Sequence, residues 1–66
     1  MKLSEFQILS SGAGNYVGRL CFDSEFNCWV PYSRNTGYFS DSEFHKNQME
    51  EIVEFLNNQP TDDESF

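Results

Sequence analysis

One stretch of this chain can only be a surface helix, and that constrains what the remainder must be. Between residues 44 and 56, Phe44, Met49, Ile52, Val53, Phe55 and Leu56 share one half of a wheel turned about 100° per residue, while Glu50, Glu51, Glu54, Asn57 and Asn58 share the other. A helix of this length gains most of its stability by laying its apolar half on another layer. Ser40 and Glu43 have the spacing of a capping box, in which a hydroxyl and a carboxylate satisfy free N–H groups at a helix start. Asn47 with Glu50 repeats the pattern, so the helix begins near residue 41 or 48, or is interrupted between them. Pro60 ends it.

The layer beneath must come from the first 40 residues, and they read as strands. Over residues 4–9, Phe6 and Ile8 alternate with Glu5 and Gln7, the period of a half-buried strand. Residues 10–15, Ser-Ser-Gly-Ala-Gly-Asn, tolerate the positive φ values of a reversal. Over residues 16–22, Tyr16, Leu20 and Phe22 fall on one face with Gly18 among them, and Val17, Arg19 and Cys21 on the opposite face. Residues 23–26 form a polar loop, and residues 27–32 resume strand chemistry with Trp29, Val30 and Tyr32. That loop length would set Cys21 opposite Cys28, and it leaves open whether the two thiols are bonded. Pro31 lacks a ladder N–H and belongs on an edge strand or at a bulge. Residues 33–37 are a second turn, and Tyr38-Phe39 a short strand or the lead into the helix.

The expected architecture is α+β: a small antiparallel sheet of three or four strands with one C-terminal amphipathic helix packed on one face. A single domain would span residues 1–60, followed by a flexible acidic tail over residues 61–66. The second sheet face is left uncovered, with Val17, Arg19, Cys21 and some of the aromatics expected there. A monomer or a weak homodimer through that face follows. Aromatic residues make up 17% of the chain, enough ring surface for a compact core without metal or disulfide staples.

Several functions find no support. Cys-x6-Cys with a single histidine, His45, lacks the spacing of a structural zinc site, so no metal is expected. His45 has no nucleophile motif beside it, and a capping or half-buried role suits it better than catalysis. Ser-Gly-Ala-Gly-Asn fits no phosphate-loop pattern, and neither a cofactor nor a catalytic residue is assigned. The opening residues lack the apolar run of a signal peptide and no stretch approaches a membrane span, which points to a soluble intracellular protein with no membrane partner.

Charge is the feature best able to select a partner. The chain carries −7, and its surplus lies in residues 41–66, where Asp41, Glu43, Glu50, Glu51, Glu54, Asp62, Asp63 and Glu64 face one base, Lys46. With only four Lys and Arg, the chain would repel a nucleic acid, so direct nucleic-acid binding is not expected. The reverse holds for a protein surface built to hold phosphates. These eight acids are the candidate partner-binding residues, opposite a positively charged nucleic-acid-binding complex. Trp29, Tyr32 and Tyr38 offer the alternative, a protein–protein interaction module that binds through exposed rings.

In the compact aromatic region of residues 16–39, the amphipathic segment 44–56 and the acids at 41, 43, 50, 51, 54 and 62–64, the chain resembles the small acidic anti-CRISPR proteins encoded by bacteriophages. The likeness covers the whole chain through size, charge and layout rather than a motif, so no family residues carry over. It implies a stoichiometric, non-enzymatic inhibitor in the cytoplasm of a bacterial host. Such a protein would bind a CRISPR effector complex and block entry of target DNA by mimicking DNA's negative charge.

Overall fold

The computed structural model describes residues 2–59. Its sheet is organised around a central strand whose backbone is partnered on both sides. Strands β1 (Gln7–Ser11), β2 (Gly14–Asp23) and β3 (Cys28–Arg34) run antiparallel in the order β1-β2-β3, and one helix, α1 (Glu43–Asn57), packs on β1 and β2. The expected α+β sheet-and-helix layering is therefore what the chain adopts, with three strands.

The first reversal is tighter than the composition of residues 10–15 implies. Ser11 pairs with Gly14, leaving only Gly12 and Ala13 as the turn, and Gly14 takes φ +136°, where a side chain would be strained. The second reversal differs by one residue from the expected loop, with a consequence for the cysteines. Asp23 Oδ1 accepts from the N–H groups of Glu25 (2.9 Å) and Phe26 (3.4 Å), and Asn27 takes the left-handed φ of 56°. Asp23 thereby stays in the ladder and pairs with Cys28, while Phe22 pairs with Trp29 and Cys21 with Val30. The expected opposition of Cys21 and Cys28 is corrected to a diagonal relation on one face, and both thiols are free.

Pro31 meets both of its expectations. It lies on an edge strand, and the register slips beside it: Arg19 pairs with Ser33 and Leu20 with Pro31, so Tyr32 is the extra residue of a bulge. Beyond β3 the chain continues to satisfy β2. Asn35 N–H donates to the Val17 carbonyl (2.8 Å), Val17 N–H donates to Thr36 Oγ1 (3.0 Å), and Asn15 and Phe39 exchange two backbone bonds. Along the other edge, Ser4 N–H donates to the Leu20 carbonyl and Phe22 N–H to the Lys2 carbonyl. The first strand is accordingly interrupted rather than continuous over residues 4–9. Between its two pieces, the Asn57 side-chain amide bonds both the N–H (2.8 Å) and the carbonyl (3.0 Å) of Phe6, tying the end of α1 to the sheet.

The helix settles on the face opposite to the one expected. Val17 is fully buried and pairs with Ile8, which lines a crevice with Met49 and Lys46. Val17, Arg19 and Cys21 thus look toward α1, and Tyr16, Leu20 and Phe22 look away from it. At the centre of the contact the compact β-branched side chains of Ile8 and Val17 let the helix approach closely. The sheet meeting α1 is only three strands wide, so the docked arc is narrow and centres on Met49, 2% exposed. Phe44 and Phe55, expected in the apolar half, fall outside that arc and are 70% and 63% exposed.

Candidate partner-binding faces

The helix start decides how the acids are presented. Ser42, in extended conformation, is the N-cap and its side chain accepts from His45 N–H at 3.1 Å. His45 reaches back past the cap: its Nδ1 accepts from Ser40 N–H (3.1 Å) and lies 2.7 Å from Ser40 Oγ. The expected box of Ser40 with Glu43 is thus replaced by a single N-cap bond at Ser42, whose own N–H donates to Ser40 Oγ (3.2 Å), and the helix runs without interruption from Glu43 to Asn57.

From that start, Glu43, Glu50, Glu51 and Glu54 project within about 100° of arc on the side away from Met49, and all are exposed. They span roughly 16 Å along the axis at about 1.5 Å per residue. Glu43 lies in the first turn, where the helix dipole favours a carboxylate. Glu54 lies near the opposite end with no base in the last turn, and Glu50 with Glu54 is a like-charge pair one turn apart. The arrangement is a cost to the helix and is held by packing on the other side.

Asp41 precedes the helix and is exposed, but its Oδ1 accepts from Asn15 Nδ2 at 2.6 Å, which ties it to the turn end of the sheet. Asp62, Asp63 and Glu64, and the expected tail as a whole, lie outside the described residues. Of the predicted site, then, the helix glutamates share one face, while Asp41 lies apart from them beside the crevice between α1 and the sheet.

The bases of the sheet are committed elsewhere. Arg19 Nε donates to the Ser4 carbonyl (2.8 Å) with its guanidinium 4.5 Å from the Phe6 ring centroid. Arg34 lies 4.7 Å from the Tyr38 ring and donates to the Thr36 carbonyl, and Lys2 lies 5.9 Å from the Phe22 ring. Lys46, a residue of α1, is exposed three residues after Glu43 and four before Glu50, so it borders the acidic arc, and it also lines the crevice with Ile8 and Met49.

On the opposite side of the sheet is a second face that alternation alone did not locate. Tyr16 meets Tyr38 edge-on (5.8 Å) at one end, and Phe22 meets Trp29 edge-on (5.4 Å) at the other, with Leu20 and Pro31 paired between them. Trp29, Tyr32 and Tyr38 remain 44%, 50% and 48% exposed. The signal was present in the shared register of Tyr16, Leu20 and Phe22, although it did not say which side the helix would take.

No family model, curated protein or solved structure matches this chain. Among the described residues no group of His, Cys, Asp and Glu could hold a metal ion, and no helix is long and apolar enough to cross a membrane.

Proposed function

We propose that this chain is a non-enzymatic inhibitor, of the anti-CRISPR kind, that occupies a Lys/Arg-lined DNA site on a CRISPR effector complex in a bacterial cytoplasm. One observation carries the reading: Glu43, Glu50, Glu51 and Glu54 form a single exposed arc on α1, while Arg19, Arg34 and Lys2 are held against rings of the sheet. DNA offers a phosphate every 3.4 Å or so of axis on each strand, so an arc of roughly 16 Å matches the reach of several phosphate-binding side chains. Carboxylates so placed steer association with a basic groove and make it sensitive to salt. The variant carrying Glu50→Lys, Glu51→Lys and Glu54→Lys is expected to keep its circular dichroism spectrum and lose competition with duplex DNA. Retained competition by a folded triple variant ends the proposal.

A second reading rests on the half-exposed rings Trp29, Tyr32 and Tyr38, which would anchor a neutral protein–protein interface. Its binding would change little across a salt series, where charge mimicry predicts a steep loss.

A further inference from the structure

We propose that the ring-bearing face of the sheet, away from α1, is the contact through which two copies of this chain pair back to back. The described residues bury few large side chains: Tyr16, Val17 and Met49 are the buried hydrophobics, against Trp29, Tyr32 and Tyr38 left about half exposed. Burying those rings against a second copy would add apolar contact to a thin layer. Cys21 and Cys28 are free, and no metal-holding cluster occurs among the described residues.

The size of the face fits that role. Three strands at about 4.8 Å spacing and ten residues of β2 at about 3.3 Å each give roughly 450 Å² of projected surface per copy. Two copies bury on the order of 1,000 Å² once side chains interdigitate, near the lower bound of a specific interface. Sheets pack face to face about 10 Å apart, so the pair would be a four-layer helix-sheet-sheet-helix sandwich with both acidic helices outward.

Charge permits the same occupant. The strand residues on this face are Gln7, Leu9 and Ser11 of β1, alternate residues of β2 from Gly14 to Phe22, and Trp29, Pro31 and Arg34 of β3, and none is acidic. Arg34 and Lys2 stand at its two ends, each over a ring, where an interface keeps a solvated rim. The negative charge of each copy is thus kept off the contact. At a distance the two copies, each at −7, still repel, so added salt should strengthen pairing. An acidic foreign partner drawn to Arg34 and Lys2 would bind less well in salt, which gives the two occupants opposite signs.

Sedimentation equilibrium of the full chain, from micromolar to near-millimolar concentration at low and high salt, tests this. The expected result is a mass rising from 7.7 kDa toward twice that value, further at high salt. Trp29→Glu and Pro31→Glu should each weaken self-association by about tenfold or more, the loss a central anchor gives. Pro31 donates no ladder hydrogen bond, so its variant keeps the fold if the tryptophan variant does not; circular dichroism reports on both. The triple lysine variant of α1 should still pair, which separates this outcome from the fate of the DNA-competition proposal. A mass of 7.7 kDa at every concentration, a dimer indifferent to both substitutions, or one that salt dissolves overturns the inference.

Discussion

On the outer face of α1 the side chains are like-charged, separate and hydrated, whereas on the open face of the sheet they are rings set edge to edge with cations above them. A face of the first kind would act through a field that reaches about a Debye length, roughly 8 Å at physiological ionic strength, and would tolerate small shifts of each carboxylate. The second acts only at contact, and a displacement of one residue in β3 would put its rings on the other side. Binding by charge therefore makes modest demands on the fold, and binding by rings makes strict ones. The two faces share β2 as their support, and the same backbone register serves both.

The most direct way to break the comparison is to damage that shared support. A Cβ on Gly18 would sit inside the van der Waals shell of the Ser33 carbonyl oxygen and 3.2 Å from the Tyr16 ring. The carbonyl is backbone beside the bulge and cannot yield by a rotamer change. Gly18→Ala is expected to cost more than about 3 kcal/mol in urea unfolding, at the upper end of overpacking effects, and to abolish the function of both faces together. Near-native stability in that variant would mean that β2 and β3 do not approach at the bulge as described.

A smaller perturbation should separate the faces. Met49 is 2% exposed under α1, and truncating a buried methionine to alanine costs about 2–4 kcal/mol. Met49→Ala acts on the helix side alone. Hydrogen exchange is expected to speed across α1 while the β2–β3 hairpin keeps its protection and the edge-on pair Phe22–Trp29 keeps its aromatic signal. Uniform acceleration through both layers would show that they unfold as one unit and that the faces cannot be uncoupled.

How far these faces were legible beforehand follows from the kind of signal each depends on. The helix, its acidic side and the two hairpins are periodic features, and 3.6-residue and two-residue periods are visible in the chain itself. The register of β2 against β3 is not periodic. It turns on Asp23 accepting two loop N–H groups while remaining paired, and on Asn27 taking a left-handed φ, local choices worth a kcal/mol or so that decide whether Cys21 meets Cys28 or Val30. Alternation shows that Tyr16, Leu20 and Phe22 share a side, but which side α1 covers depends on shape: the helix took Val17 and Ile8, and the rings were left to Tyr38 and Arg34. Phe44 and Phe55 misled for a related reason. A wheel divides a helix into halves, while a sheet three strands wide accepts a narrower arc.

The least disruptive change sharpens the comparison at the point where the chain passes from sheet to helix. Ser42 caps α1 by accepting from His45 N–H, and His45 Nδ1 in turn accepts from Ser40 N–H, one residue beyond the Phe39 bridge to β2. Ser42→Ala removes one acceptor from the first turn and should cost about 1 kcal/mol. It also removes the contact of Ser42 Oγ with Ser40 Oγ (3.1 Å) but keeps the bonds between Ser40 and His45, so the link to β2 survives while the first turn loosens. Exchange is expected to rise at the first-turn amides and Glu43 to become more mobile, with Glu50, Glu51 and Glu54 unchanged in the middle and last turns. If charge acts as a field, competition with DNA should weaken only slightly, because one mobile carboxylate at the end of the arc still contributes. A large loss from this single hydroxyl would instead mean that the acidic face needs fixed geometry, and the contrast between a face that acts at a distance and a face that acts at contact would no longer hold.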